Sequence, residues 1–333
     1  MIEFGKPSSS IWEFPSGQTP LAPSPFKSEW LTNIYQTSMK VTTPITIGLV
    51  YFTSVHYANG IVRRRQAAKA NKNIESLSPA EIKKLPPAPY SIARLGLFKL
   101  FVLAHNVFLC LYSAWTLLGM SSAIAQTVDI ILGVSNTPSM VHNFFHSVCD
   151  LQNGVFSSKL PFPNLEIFGY WFYMSKFYEV FDTIIILLKG RPSSLLQSYH
   201  HSGAMMCMWA GIRYQSPPIW IFVVFNSFIH TLMYFYFSLS CLRIRVPVLF
   251  KRTLTSLQIT QFLVGGSLAV VHAFIWYTDL SSGELTNCIG TTDQALPLFI
   301  NVGYLTPLTA LFAAFYIDSY IRPKKAKQNA QKH

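Results

Sequence analysis

The 333-residue chain is poor in charge: Asp, Glu, Lys and Arg together make up only 12% of it. A soluble domain carries roughly a quarter, so an ordinary water-soluble globule is excluded. Acidic residues are scarcer still, 14 against 26 Lys and Arg, which leaves a formal charge of +12. Five cysteines are too few for a disulfide scaffold. Residues 1–42 hold Pro, Ser and scattered charge, with no apolar core beside a cleavage site. A cleaved secretory signal is therefore not expected, and the first span is expected to serve as the membrane-targeting signal.

What the chain has instead is apolar length. Half of its residues are hydrophobic and 15% are aromatic. Spanning a bilayer takes about 20 apolar residues. Seven stretches are read as spans: 43–62, 95–119, 166–188, 200–214, 217–241, 254–277 and 296–319. The fourth is short. Segment 123–134 is apolar but too brief, and is expected to be interfacial or re-entrant. The fold class expected is all-α, a polytopic membrane protein of seven transmembrane helices. Its parts are a luminal N-terminal segment (1–42), a membrane domain (43–320) and a basic cytosolic tail (321–333).

Charge placement supports this reading. Loop 63–94 opens "RRRQAAKANK"; loop 189–199 has Lys189 and Arg191; loop 242–253 has Arg243, Arg245, Lys251 and Arg252. The tail adds Arg322, Lys324, Lys325, Lys327 and Lys332. Seven spans put all four on one side. The other side holds Asp129, Asp150, Glu166, Asp279, Glu284 and Asp293, with only Lys159 and Arg213 opposing them. This is the positive-inside pattern, with the C-terminus cytosolic and the N-terminus luminal. The basic excess needs no nucleic acid as partner; a cytosolic basic rim also suits a phosphorylated substrate. Cys149 and Cys288 fall on the far, oxidising side, where a disulfide is favoured over two unpaired thiols.

Several later spans carry polar residues. A charge at a span centre costs about 2.5–3.5 kcal/mol on insertion scales, so such residues face the bundle interior and tend to carry function. In "SKFYEVFDTIIILLKG", Lys176, Glu179 and Thr183 share a helical face, with Asp182 at its edge. An internal ion pair that only fixes packing is the plainer alternative, but it leaves Asp182 without a partner. "LLQSYHHSG" places Gln197, His200 and His201 on one face, or else forms a polar cap at the interface. "FNSFIHTLMYFYFSLS" aligns Asn226, His230, Met233, Tyr234 and Phe237. Gln258 and Gln261 in the sixth span, and His105 and Asn106 in the second, suit interhelical hydrogen bonds. At 1.5 Å per residue, Asp182 lies about 9 Å and His230 about 15 Å from the cytosolic ends of their spans. Groups from four spans thus share one depth, as expected for a buried polar chamber open to the cytosol. Imidazoles there can act as general base or acyl acceptor, and amides can hold an oxyanion.

These residues also carry a family resemblance. "KFYEVFDT", "NSFIHTLMYFYF", "SLQITQF" and "AHN" resemble, in order and spacing, the boxes of the fatty acid elongase (ELO) family. "QSYHH" is similar to that family's HxxHH box, with Gln197 in place of the first His, and "FPSGQTPL" resembles its segment before the first span. The resemblance covers about residues 12–320. It implies an endoplasmic reticulum enzyme that condenses a long-chain acyl-CoA with malonyl-CoA to a 3-ketoacyl-CoA, CO2 and CoA. It further implies no metal or redox cofactor and six spans around a closed-ended acyl tunnel. The implied partners are the lipid bilayer, a ketoreductase, a dehydratase and an enoyl reductase, with a homodimer also open.

Carried onto this chain, His200 and His201 would supply the acyl acceptor or base. His230 and Asn226 would orient the thioester and stabilise the enolate or oxyanion. Lys176, Glu179 and Asp182 would set the chamber's charge. Gln197, Tyr234, Gln258, Gln261, His105 and Asn106 would contact substrate. Lys189, Arg191, Arg243, Arg245, Lys251 and Arg252 are candidates for the CoA phosphates. Glutamine is a poor metal ligand and no base, so the first box position needs only a hydrogen-bonding group; Gln there resembles the polyunsaturated-type members. Two rivals are weighed. A di-iron desaturase or hydroxylase would use "HNFFH" (His142 to His146), but such enzymes need about eight cytosolic His. Here His56, His142, His146 and His272 are read toward the far side. A seven-span receptor or transporter does not require a His-rich chamber, and a transporter favours helices broken near the midplane.

Overall fold

The computed structural model describes residues 2–134 and 139–322; the tail residues Lys324, Lys325, Lys327 and Lys332 lie outside them. Helices are α1 (Glu29–Ser38), α2 (Thr42–Lys69), α3 (Pro79–Ile82), α4 (Gly96–Val134), α5 (Met140–Cys149) and α6 (Leu165–Tyr178). They continue as α7 (Val180–Leu188), α8 (Leu195–Arg213), α9 (Ile219–Cys241), α10 (Val248–Val271) and α11 (Thr292–Tyr316). Among the described residues, five stretches, Thr42–Lys69, Gly96–Val134, Ile219–Cys241, Val248–Phe274 and Thr292–Ile321, are long and apolar enough to cross a membrane. The protein is a mostly helical, multi-pass membrane protein.

The long helices form a bundle with two distinct ends. Neighbours run antiparallel, as side-chain pairs between α2 and α8 record. Ser202 donates to Gly48 O at 3.5 Å, His56 meets Ser198 at 3.1 Å, and Asn59 donates to Ser193 O at 2.9 Å. The α4–α9 pair is stitched the same way by Thr116–Ser227 at 2.8 Å and Cys110–Thr231 O at 3.5 Å. One end carries the basic loops. There the "KGRP" stretch stops α7: Gly190 adopts φ +75°, and Gly190 N and Arg191 N cap the last carbonyls of Leu187 and Ile186. A Cβ at Gly190 would also lie 2.5 Å from Ala88 O, so glycine lets loop 83–95 pack on this turn.

The other end is capped. The expectation of an all-α fold misses a small antiparallel sheet here, ordered β1 (Ile2–Phe4), β2 (Ile275–Thr278), β3 (Leu285–Asn287). Ile2 pairs with Tyr277 and Tyr277 with Thr286. The signal was hidden because three- and four-residue strands carry almost no periodicity. Cys149 at the end of α5 is disulfide-bonded to Cys288 after β3. The described part of the N-terminal segment folds onto this end: Asp293 accepts from Ser16 and Thr19, and Arg213 donates to Thr19 O at 2.6 Å.

Several boundaries differ from the sequence reading: α2 runs on to Lys69 through residues read as loop, α10 begins at Val248 and ends at Val271, and three further differences have a local cause. Residues 95–119 and 123–134 form one helix, α4, because nothing between them breaks it; Gly119 fits inside, against Phe168. A Cβ there would sit 2.2 Å from that ring. The span at 166–188 is interrupted at Glu179, which caps α6 and opens α7. Ser175 lies 2.8 Å from Phe172 O, a back-bond of the kind that bends helices, and 3.1 Å from Glu179. The fourth span starts at Leu195 rather than 200, because Ser194 caps it by accepting from Gln197 N at 3.2 Å.

Candidate functional site

Glu179, at the α6–α7 interruption, is 2% exposed and central to a polar cluster. Lys176 Nζ lies 2.7 Å from its Oε1 and reaches Asn226 Oδ1 of α9 at 3.0 Å. His230 Nδ1 of α9 is 3.6 Å from Oε1, and His201 Nδ1 of α8 is 3.9 Å from Oε2. Lys176, also 2% exposed, packs its ammonium over Phe172 at 4.0 Å. A lone carboxylate here would be prohibitively desolvated; the ammonium and two imidazoles surround it instead.

The adjacent histidines face different partners. Gln197 Nε2 lies 2.9 Å from His201 Nε2. An amide NH2 only donates, so His201 Nε2 accepts and its proton sits on Nδ1, toward Glu179. His200 Nδ1 contacts Tyr304 OH of α11 at 2.9 Å. The His200 ring centroid is 5.3 Å from that of His201 and 6.3 Å from that of His230. Thus α6, α7, α8, α9 and α11 converge on one point.

Asp182 leaves that cluster. Its Oδ1 is 2.9 Å from His105 Nε2 of α4, and its Oδ2 accepts from Tyr234 OH at 2.6 Å. This supplies the partner the sequence left open. Thr183, expected to share the face of Glu179, contacts Tyr51 of α2 at 2.6 Å. Asn106 donates to Val102 O at 2.8 Å and to Cys241 Sγ at 3.5 Å. Gln258 reaches only Met233 Sδ, at 3.8 Å.

Two cavities meet at the cluster. The larger, about 710 Å³, is lined from α4, α7, α8, α9, α10 and α11. Asp182, Gln197, His200, His201, Asn226, His230, Gln258 and Gln261 all border it, with Asn106 and Met233. Its volume suits a ligand of drug size or larger. The smaller, about 50 Å³, runs toward the capped end between Cys207, Met208, Ile221, Phe225 and Gly265. His200, Asn226, Gln261 and Phe262 border both. The larger cavity, which carries the polar cluster on otherwise largely apolar walls, therefore narrows onto an apolar extension, with His200 at the junction.

Of the six basic candidates, Lys189 and Lys251 line the large cavity. Arg191, Arg243 and Arg245 are exposed beyond it, and Arg252 donates to Tyr316 OH at 2.6 Å. His56, read toward the far side, touches Ser198 one turn from His201. Its helix enters at a different height from the one a residue count alone implies. His146 bonds Asp150 at 3.2 Å, and His272 contacts Trp220 at 3.2 Å and the Phe145 ring of α5. The "HNFFH" histidines thus belong to the capped end. Tyr304, Ser175 and Tyr51 were missed: with 16 tyrosines in the chain, nothing in their spacing marks these.

Comparison with known proteins gives the family. The chain is 30% identical over 172 residues to fatty acid elongase 2 of Trypanosoma brucei brucei, covering 49% of this chain and 60% of that protein. It is 27% identical over 230 residues to fatty acid elongase A of Dictyostelium discoideum, covering 68% and 74%. It is 31% identical over 200 residues to human very long chain fatty acid elongase 3, covering 60% and 68%. No solved structure matches the chain. The pattern of the ELO family, described as the GNS1/SUR4 family, matches residues 36–328 and so takes in every helix that lines the two cavities. This chain belongs to the ELO family.

Proposed function

We propose that the protein is the condensing enzyme of fatty acid elongation, an acyltransferase that joins malonyl-CoA to a long-chain acyl-CoA. The observation that carries this is the junction itself: three imidazoles, a buried Lys–Glu pair and an amide where a large cavity (the vestibule) meets a small apolar extension (the channel). In the vestibule, Lys189 and Lys251 would hold CoA phosphates; Arg191, Arg243 and Arg245 would act as a steering rim. The acyl chain would enter the channel past Phe262 and Gln261.

In the first half-reaction an imidazole nitrogen of His200 attacks the thioester carbonyl carbon. The C–S bond breaks, and CoA leaves as the thiol with the imidazole's proton. In the second half, malonyl-CoA loses CO2. The resulting enolate carbon attacks the acyl carbonyl, the C–N bond breaks, and the imidazole takes back a proton. His230 and His201, oriented by Glu179, with Lys176 and Asn226, would stabilise the oxyanion and enolate. The sum releases CO2 and CoA and changes no oxidation state that calls for a redox or metal cofactor.

The same reading makes α6–α7 and α8 the remaining spans of a seven-helix protein, with six helices around an acyl tunnel and α2 outside it. Charge bias then puts the vestibule in the cytosol, the disulfide end in the endoplasmic reticulum lumen, and a cytosolic tail after Arg322. The ketoreductase, dehydratase and enoyl reductase that consume a 3-ketoacyl-CoA would act next. Gln197 would favour polyunsaturated acyl chains. The deciding test is purified protein with labelled malonyl-CoA and a panel of saturated, monounsaturated and polyunsaturated acyl-CoAs. Direct detection of 3-ketoacyl-CoA is expected for a subset of the panel; none for any acyl-CoA would overturn the proposal.

A further inference from the structure

Tyr304 stands in α11 opposite the histidine pair, and the chemistry above gives it no part. Its hydroxyl makes two contacts with one residue: it donates to His200 O at 3.0 Å and lies 2.9 Å from His200 Nδ1. A carbonyl only accepts, so the two contacts are hydrogen bonds together only when the single hydroxyl proton goes to it. The contact to Nδ1 then requires the ring nitrogen to donate. A neutral imidazole carries one N–H, so Nε2 keeps its electron pair. We propose that Tyr304 is a positioning residue that holds His200 in the Nδ1–H tautomer and thereby presents the Nε2 electron pair at the cavity junction.

The surroundings keep that geometry rigid. The Tyr304 ring stacks on Tyr199 at 5.6 Å and 23°. Tyr199 OH also donates to Tyr304 O at 3.3 Å. On its other face it lies against Gly203, where a Cβ would fall 2.2 Å from Tyr304 Cε2. The glycine of "HHSG" is therefore the gap through which α11 reaches the backbone of α8. The neighbouring ring differs: the His201 Nε2 pair accepts from Gln197, and Nδ1 lies 3.9 Å from Glu179 Oε2, beyond hydrogen-bond distance. Among the described residues, His200 Nε2 has no hydrogen-bond partner, and His200 borders both cavities. Of the adjacent pair, only His200 offers a free electron pair where a thioester would lie. The tautomer stands on this geometry alone; its use in acyl transfer rests on the proposed condensing activity.

The test is nitrogen-15 NMR of protein labelled only at histidine, with His200 identified by the signal lost in His200→Ala. Wild type is expected to show His200 protonated at Nδ1, and Tyr304→Phe to lose that tautomer's dominance. A single-turnover assay without malonyl-CoA then measures CoA thiol release from acyl-CoA. Tyr304→Phe is expected to slow release on the order of 10²-fold, the lower range for a displaced general acid–base group, with acyl-CoA affinity within about threefold of wild type. Gly203→Ala, which displaces the Tyr304 ring, is expected to match it. An Nε2–H tautomer in wild type, or equal thiol release in Tyr304→Phe, overturns the proposal. The wild-type spectrum decides even if both variants fail to fold. No thiol release by wild type with His200 in the expected tautomer would sink the condensing reading and leave the Tyr304 assignment standing.

Discussion

Glu179 has an ammonium at 2.7 Å and imidazoles at 3.6 and 3.9 Å, all of them buried. Removing its charge strands Lys176, and a broken buried pair costs about 3–5 kcal/mol. Glu179→Gln is therefore expected to lower the melting temperature markedly and to reduce condensation by at least about 10²-fold. Lys176→Met combined with Glu179→Gln is expected to regain most stability but not activity, which separates packing from chemistry. Gln197 works differently, as a donor to His201. Gln197→His, which can also donate, is expected to keep turnover within about threefold. Gln197→Leu leaves a buried ring nitrogen unpaired, a cost of about 1–3 kcal/mol, and is expected to reduce turnover roughly tenfold. Equal turnover in Gln197→Leu and wild type would remove the donor role. The residue identities were readable because charges and imidazoles in apolar spans are conspicuous. Tyr304 was not, because a tyrosine in an aromatic-rich span looks like packing until its partner is seen.

Helices decide what those residues meet. Just past the interruption at Glu179, Asp182 meets His105 and Thr183 meets Tyr51, so the two residues reach different neighbouring helices. Periodicity assumes a continuous helix, and no proline or glycine marks this break. The channel floor is likewise set by helix spacing. Gly265 of α10 lets the helix approach Ile221 and Phe225, whose atoms would lie 3.4 and 3.5 Å from a Cβ there. Alanine fits at ordinary contact. Gly265→Leu would fill the inner cavity of about 50 Å³. It is expected to shift the accepted acyl-CoAs toward shorter chains, with the shortest substrates turned over as in wild type. An unchanged product profile across an acyl-CoA length series would place the chain elsewhere.

At the scale of the molecule the two ends do different work. The capped end holds the disulfide, the small sheet and the N-terminal segment, away from the cluster. Cys149→Ser with Cys288→Ser is expected to cost about 2–5 kcal/mol, read as a lower melting temperature, with little change in the acyl-CoA KM. The same end carries a pH dependence. Burial pushes the Asp150 carboxyl up, but hydrogen bonds from His146, Asn153 and the Gln152 and Asn153 amides outweigh it and hold the group below the usual carboxylate range. A carboxyl depressed on folding stabilises above its unfolded pKa, and that stability is lost as pH falls through the folded value. Thermal stability is therefore expected to drop in acid below the ordinary carboxylate pKa, and to drop less in Asp150→Asn.

The sequence by itself determined that this chain lives in a membrane, which loops share a side, and which polar residues face inward. Apolar length and buried charge are costs that any fold must meet. The two sparse cysteines on the acidic side were legible for the same reason. Tertiary structure alone decided that Glu179 gathers the imidazoles, that Asp182 turns to α4, that only two of six basic residues reach the cavity, and that Tyr304 faces His200. Those are contacts between helices, set by a kink, by the glycine gap at position 203, and by the height at which each helix enters. No period within a single helix carries that information.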